Sequence, residues 1–265
     1  MNKSFSTEFV FQIFSLIIAA ILVHAVYVSV IRPNAAAIQQ EQRVLIAEDP
    51  DYIPERSLFV IVQDFEQEAC FILMLWAFAI MGYKARHALR ERGLLDEELL
   101  PIAEGVRILP EDTREYSRQL EALQEEEQGL LLPRAMLAAL QRFGATRNVQ
   151  DVSSATHTLI NSEAERLESE LSMIRYIAWA IPSIGFIGTV RGIGAALGLA
   201  HRAVEGDISG VTESLGVAFN STFIALVISI VLMFLVHQLQ LLQERQVFET
   251  EGYVDQRLIR HLQAA

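Results

Sequence analysis

Two apolar stretches in the carboxyl-terminal half of the chain carry small and hydroxyl-bearing residues at regular spacing. In Ile181 to Leu199 (IPSIGFIGTVRGIGAALGL), glycines and alanines occur on more than one helical face, with Thr189 near the middle. In Ser214 to Val236, such residues recur at steps of three and four positions, which places them on one helix face. They are Ser214, Ala218, Ser221, Thr222, Ala225 and Ser229. The pattern is typical of a face that packs on another helix, and it also fits the wall of a narrow polar passage, with Thr189 and Thr222 at one level.

Other chemistry is not indicated. The chain has no phosphate-cradling glycine-rich loop, no HExxH and no GxSxG, and its six histidines lack ligand spacing. Its one cysteine, Cys70, excludes an intrachain disulfide and a cysteine-based metal site. A net charge of −12 argues against nucleic acid as a partner. We therefore expect no enzyme, no cofactor and no metal. His24 is the one histidine inside a long apolar stretch that could span a membrane. It is either hydrogen-bonded to neighbouring backbone or part of a proton relay.

Acidic residues are missing where a proton pathway would need them. Neither Tyr176 to Ala200 nor Ser214 to Val236 contains Asp or Glu. A proton that crosses a bilayer needs a titratable group or a file of water at mid-depth. Hydroxyls can relay a proton but cannot hold one. If this chain conducts, the carboxylate comes from another polypeptide.

Arg191 is the one charge inside the apolar stretch Tyr176 to Ala200. An arginine at mid-membrane costs roughly 2.5–3.5 kcal/mol on insertion scales, so it generally has a partner. It lies about 200° around the helix from Thr189, which turns it away from a passage lined by that threonine. Counted in residues from the cytoplasmic end of each membrane helix, Arg191 and Glu68 lie at the same depth. The sequence therefore predicts a structural ion pair between them, within one chain or between neighbours. The alternative is that Arg191 snorkels to lipid headgroups.

Four apolar blocks are the elements that must position these residues. Two of them, Phe9 to Ile31 and Ser214 to Val236, are uncharged and long enough to span a bilayer. The short block Ala69 to Tyr83 spans the bilayer only with an acidic outward extension. The remaining block, third in chain order, is Tyr176 to about Ala200. With 52% hydrophobic residues and a mean hydropathy of +0.30, the chain is predicted to be an all-α membrane protein with four transmembrane helices. Pro182 should kink the third helix, and Gly185, Gly188 and Gly192 should allow close packing.

Basic residues predict the orientation and the domains. Four of them, Lys84, Arg86, Arg90 and Arg92, follow the second helix and mark that side as cytoplasmic. We predict that both termini are cytoplasmic. Residues 1–84 should hold the first two helices with an external loop at 32–57, residues 85–173 a cytoplasmic helical domain, 174–240 the two remaining membrane helices with extensions into the cytoplasm, and 241–265 a cytoplasmic helix. The segment 84–100 either contacts a cytoplasmic rotor or effector or is simply a solvated helix.

The stretch PSIGFIGTVRGI resembles the proline-to-GTVxGI signature of the MotA/TolQ/ExbB proton channel family. Thr189 matches the threonine of that signature and Thr222 the family's second threonine, 33 positions later. The resemblance implies a homopentamer in the bacterial inner membrane around single-span MotB/TolR/ExbD-like partners that carry a membrane aspartate, with flow of H+, in preference to Na+, driving rotation. The chain departs from the TolQ/ExbB pattern because no Glu precedes Thr222, and Arg191 replaces an apolar or aromatic residue. Both the four crossings and the missing acid resemble the MotA branch more closely.

We therefore expect the channel-forming subunit of a proton-driven rotary motor, a stator-type complex. Candidates for the ion pathway are Thr189, Thr222, Ser221, Asn220, Ala218 and Ala225. The alternative is a non-conducting oligomeric membrane scaffold that displays its cytoplasmic helices.

Overall fold

The computed structural model describes residues 2–49, 52, 55–103 and 105–263, with side chains from residue 8 onward. Apart from one isolated bridge, these residues form helices and connections without strands, and 84% of the chain is helical. The α-helices are α1 (Asn2–Val26), α2 (Arg32–Glu48), α3 (Leu58–Ile61), α4 (Phe65–Gly93), α5 (Thr113–Glu121), α6 (Glu125–Gln128), α7 (Leu131–Thr146), α8 (Val149–Glu170), α9 (Ser172–Gly198), α10 (Ala200–Val204) and α11 (Ser209–Arg257). The predicted all-α fold class is confirmed.

Four helical stretches in the described part of the chain are long and apolar enough to cross a membrane. They are Glu8–Glu48, Phe65–Asp96, Val149–Gly198 and Ser209–His261. Each contains one of the four blocks recognised in the sequence. The chain is a multi-pass membrane protein.

The first helix extends well beyond its apolar block. A π-helical turn, Tyr27–Ile31, connects α1 to α2. Pro33 follows this turn; because proline lacks an N–H and clashes with the carbonyl four residues earlier, a locally widened helix accommodates it. The predicted external loop at 32–57 is thus wrong for residues 32–48, which are helical. Its residues 50, 51, 53 and 54 lie outside the described residues.

The chain divides into two compact units. The first contains the residues up to Met81 together with Met173–Val236, and the second contains Gly82–Ser172 with the residues from His237 onward. In the first unit, the indole of Trp76 on α4 donates to the carbonyl of Gln12 on α1 over 2.9 Å. This bond ties the two amino-terminal spans together and satisfies the only polar group of the tryptophan.

The second unit has its apolar core around α7, which packs against α5 and α8. Its largest fully buried side chains on α7 are Leu131, Leu132, Met136, Leu140 and Phe143. These positions recur at helical spacing, as a helix buried on one broad face requires. A parallel bridge joins Ile108 to Leu262, with the Ile108 N–H donating to the His261 carbonyl over 2.8 Å.

A buried carboxylate caps the first turn of α7. Both oxygens of Glu91 accept from the backbone N–H of Leu131, at 3.0 and 2.9 Å, and the Glu91 residue is only 4% exposed. The first N–H groups of a helix have no partner within the helix and carry partial positive charge. Glu91 supplies the missing acceptor.

The two long helices predicted to extend out of the membrane differ in continuity. Helix α11 runs unbroken through 49 residues. The other extension is interrupted at Leu171, between α8 and α9. The predicted carboxyl-terminal helix at 241–265 ends at Arg257 and is followed by a 3-10 turn, Ile259–His261; residues 264 and 265 lie outside the described residues.

Candidate functional site

The hydroxyls of Thr189 on α9 and Thr222 on α11 contact each other directly. Each also reaches a backbone carbonyl of the opposite helix: Thr189 donates to Ala218 over 3.0 Å and Thr222 to Gly185 over 3.1 Å. The Thr189 hydroxyl also lies 3.4 Å from the Gly185 carbonyl of its own helix. Two hydroxyl hydrogens therefore serve four contacts, so more than one pattern of donation satisfies the pair. Both side chains are half-buried. The structure brings the two threonines together at the level that their spacing indicates.

Three glycines of α9 lie directly against α11. A Cβ atom on Gly185 would come within 2.5 Å of the Ala225 Cβ, and one on Gly188 within 2.5 Å of the Ser221 Cβ. On Gly192 it would lie 2.7 Å from the Ala218 backbone nitrogen. Only glycine fits at such a separation, and in lipid this closeness is a main source of helix association. We call this contact the glycine seam: Gly185, Gly188 and Gly192 facing Ser214, Ala218, Ser221 and Ala225.

The seam revises part of the predicted ion pathway. Ala218, Ser221 and Ala225 are 0% exposed within the single chain. They pack against the glycines of α9, so they do not form the wall of a passage. The hydroxyl of Ser221 instead donates to the Val217 carbonyl of its own helix over 2.8 Å. Asn220 is half-buried, as are Thr189 and Thr222. Among the predicted pathway residues, these three remain accessible.

Pro182 lies inside α9, and the helix continues through it. Proline has no N–H, which leaves the carbonyl of Ala178, four residues earlier, without its helical donor. The hydroxyl of Ser229 on α11 donates to that carbonyl over 3.0 Å. Sequence reasoning placed Ser229 on the small-residue stripe but missed this function. The signal was available, because the carbonyl that a membrane proline frees is known from its position.

Arg191 has a different partner from the predicted one. Its guanidinium makes two hydrogen bonds to Glu66 on α4, at 2.7 and 2.8 Å, and lies 3.5 Å from Asp64. Glu66 and Glu68 are two residues apart and thus point about 200° apart on the helix. The predicted depth of the carboxylate was correct to within two residues. The direction of the side chain was not, because the turn of the helix points Glu66, and not Glu68, toward α9. The predicted Arg191–Glu68 pair is wrong within the chain.

Glu68 instead faces the first helix. One of its carboxylate oxygens lies 2.6 Å from His24 Nδ1, and the other accepts from the Arg32 guanidinium. His24 therefore bonds to a carboxylate, and not to a neighbouring backbone group. The Arg32 guanidinium also lies 4.4 Å from the centre of the Phe65 ring, a cation–π contact. The start of α4 is thus fixed to α1 and α2 through Glu68 and to α9 through Glu66.

Electrostatics at this cluster are balanced by pairing. Both acids are nearly buried, with Glu66 8% and Glu68 6% exposed. Burial raises the pKa of Asp64, just before α4, while the nearby Arg191 charge opposes that rise. No group of three or more His, Cys, Asp or Glu side chains in the described residues is arranged to hold a metal ion. The cluster is therefore a set of ion pairs between helices.

The basic residues after the second span are largely paired within the second unit. Lys84 lies 2.8 Å from Glu170, Arg90 2.9 Å from Glu126 and Arg92 3.5 Å from Glu249. These pairs occupy much of the basic charge of the segment 84–100.

Comparison with known protein families identifies a match. Residues 128–252 match the sequence model of the MotA/TolQ/ExbB proton channel family, a range that contains the glycine seam and both threonines. None of the curated proteins compared with the chain matches it.

Proposed function

The chain belongs to the MotA/TolQ/ExbB proton channel family, and from that premise we propose that it is the channel-forming subunit of a proton-driven motor in the bacterial inner membrane. The family is one of membrane channels. In the proposed complex, ion flow past this subunit is converted into mechanical work. The observation that supports the proposal best is the pair of contacting, half-buried hydroxyls of Thr189 and Thr222.

The pair of threonine hydroxyls can relay a proton, but a second group must hold that proton. The stretches of α9 and α11 that enter lipid contain no Asp or Glu, and a hydroxyl does not hold a proton at neutral pH. A single-span, MotB/TolR/ExbD-like partner with an aspartate in its membrane helix would bring the carboxylate to the threonines. The aspartate of the partner would then approach the hydroxyls of Thr189 and Thr222, which can donate their hydrogen bonds in more than one pattern.

We propose that the chain forms a homo-oligomer, a pentamer, and that its interfaces use surfaces outside the seam. On α9, large apolar side chains are exposed, among them Trp179, Phe186 and Val190, which are 72%, 65% and 59% exposed. On α11, Phe223 and Ile230 are 59% and 71% exposed. Such faces require lipid or further copies of the chain to cover them.

Proton uptake into vesicles that contain this chain and a single-span partner tests the proposal. With an imposed proton gradient and a pH-sensitive dye inside, we expect Thr222→Val to slow uptake about tenfold, which corresponds to a barrier raised by ~1.4 kcal/mol. Thr222→Ser should retain uptake because it keeps the hydroxyl. Ser183→Ala is the matched control: its exposed hydroxyl bonds the Trp179 carbonyl of its own helix. Equal uptake by wild type and Thr222→Val would contradict a role of Thr222 in conduction.

A sodium gradient distinguishes the ion. Vesicles in which only the sodium concentration differs should show no partner-dependent uptake if H+ is carried. Uptake driven by sodium and abolished by Thr222→Val would assign the same pathway to Na+.

One observation favours the scaffold alternative. Four of the six stripe residues lie in the glycine seam, so most of the stripe serves packing inside one chain. A scaffold would assemble with its partner but show no uptake above empty vesicles under either gradient.

A further inference from the structure

The second unit contains a cavity between α8 and α11. It encloses about 230 Å³, and its floor includes Leu167, Leu171 and Val247. These three residues are at most 9% exposed. The cavity is therefore an indentation with an apolar base, large enough for a chain of several methylene groups.

The rim of this cavity is acidic. Glu165 and Glu168 from α8 and Glu244 from α11 line it, and no basic residue does so among the residues the structure describes. Glu244 also accepts a hydrogen bond from Gln240 on the same helix, at 2.8 Å. Carboxylates from two helices thus surround one opening, and the described residues that line the cavity carry negative charge only.

A buried amide without a partner lies in the same cavity. Gln243 is 4% exposed, and its Oε1 atom is buried with no hydrogen-bond partner in the described part of the chain. An unpaired buried acceptor destabilises a protein, so such atoms generally bind something. The acceptor and the three carboxylates are all groups that receive hydrogen bonds from a cation.

The combination selects among cations. A bare divalent metal needs oxygen ligands that converge on one point, and no such group of acidic side chains occurs in the described residues. A hydrated alkali ion would gain nothing from Leu167, Leu171 and Val247. A linear alkylammonium ion places methylene groups on this apolar floor and N–H donors on the carboxylates and the amide oxygen.

We propose that this cavity binds an alkylammonium cation whose methylene chain lies on Leu167, Leu171 and Val247 and whose ammonium groups bond Glu165, Glu244 and Gln243. Two sources supply this chemistry: a free polyamine, with an ammonium at each end, and a lysine side chain of another polypeptide. A polyamine can reach the carboxylates of both helices at once. A lysine side chain brings one ammonium only.

Equilibrium dialysis with the purified full-length chain tests the proposal. The probes are labelled spermidine and N-acetyl-lysine amide, each at constant ionic strength set with NaCl. We expect saturable binding that weakens as salt is raised. Glu165→Gln and Glu244→Gln should each reduce affinity roughly three- to tenfold, because each removes one charge with little change of shape. Glu125→Gln, an equal charge change in the same unit but outside the cavity, should leave affinity unchanged.

Gln243→Leu separates binding from folding. It removes the unpaired amide and extends the apolar floor, so we expect loss of spermidine binding together with an unchanged or higher unfolding temperature. Tighter binding of spermidine than of N-acetyl-lysine amide supports a free polyamine, and the reverse order supports a lysine of another polypeptide. Absence of saturable binding of both probes, or equal losses in Glu125→Gln and Glu244→Gln, would overturn the proposal.

Discussion

The Ser229 hydroxyl donates to the carbonyl oxygen of Ala178 over 3.0 Å. That carbonyl is the one left without a helical donor by Pro182. In lipid no water replaces a missing backbone hydrogen bond, so a neighbouring side chain must do so. The proline of α9 and the serine of α11 therefore act as one unit, although 47 positions separate them in sequence.

This relationship predicts a coupled effect of two substitutions. Ser229→Ala should destabilise the protein by about 1 kcal/mol, the typical size of an interhelical hydrogen bond in a membrane. In a Pro182→Ala background the backbone N–H is restored, so the same serine substitution should cost nearly nothing. Unfolding of the purified chain in mixed micelles at increasing denaturing detergent measures both values. Ser183→Ala, which removes a hydroxyl bonded within its own helix, controls for the loss of a serine. Additive effects of the Pro182 and Ser229 substitutions would refute the coupling.

The glycine seam predicts a sharp difference between two glycines of the same helix. A Cβ atom on Gly192 would lie 2.7 Å from both the Ala218 nitrogen and the Ser214 oxygen. Backbone atoms cannot move aside without separating the helices, so Gly192→Ala should cost about 1–3 kcal/mol. A Cβ atom on Gly194 meets nothing within 4 Å. Gly194→Ala should therefore be neutral, or slightly stabilising because alanine is the better helix former. Thermal unfolding in detergent compares them, and similar losses for both would contradict the assignment of the seam.

The sequence was informative wherever composition or period determines structure. Apolar blocks with at most one charge predicted the four spanning helices, because the transfer of charge into lipid is costly. A three- and four-residue period placed Thr222 on the small-residue stripe of its helix, and the position of Thr189 near the middle of its own block predicted that the two threonines share one level. The period could not distinguish residues that pack against another helix from residues that line a passage, since both are small. Ala218 and Ala225 belong to the glycine seam, while Thr222 remains half-exposed.

Two errors have distinct physical causes. Charges at residues 32–48 end the lipid-compatible block but do not end a helix, because helix boundaries depend on backbone bonding and not on transfer energy. The partner of Arg191 was missed because depth tolerates an error of two residues, whereas helical phase does not. A shift from Glu68 to Glu66 moves the carboxylate by only about 3 Å along the axis but turns it to the opposite face.

Double substitutions distinguish the observed partner of Arg191 from the predicted one. The Arg191 side chain is 49% exposed and that of Glu66 10%, so the pair lies between an exposed pair and a fully buried one. We expect Arg191→Met to destabilise the chain by about 2 kcal/mol, less than the 3–5 kcal/mol of a fully buried pair. Glu66→Gln should remove much of that cost in the double variant, because the acid with two hydrogen bonds to Arg191 is then neutral, while Asp64, 3.5 Å from the guanidinium, still loses its cation.

Glu68→Gln is the matched control for that cycle. It makes the same chemical change two residues away, where His24 and Arg32 are the partners. Its effect should add to that of Arg191→Met. Coupling of Arg191 with Glu68 that equals its coupling with Glu66, measured by unfolding in detergent, would restore the depth-based pairing.

The Glu91 carboxylate at the start of α7 predicts a difference between two replacements. Glu91→Gln keeps an oxygen that accepts from the Leu131 N–H. The cost of burying the Glu91 charge offsets the attraction of that charge to the helix amino terminus, so we expect a change of less than about 1 kcal/mol. Glu91→Leu leaves that buried N–H without an acceptor and should cost about 1–3 kcal/mol. Hydrogen exchange of the Leu131 amide should accelerate strongly in the leucine variant and little in the glutamine variant. Glu126→Gln, on an exposed acid that pairs with Arg90, should change neither exchange nor stability. If both Glu91 variants exchange Leu131 at the wild-type rate, the carboxylate does not hold the first turn of α7.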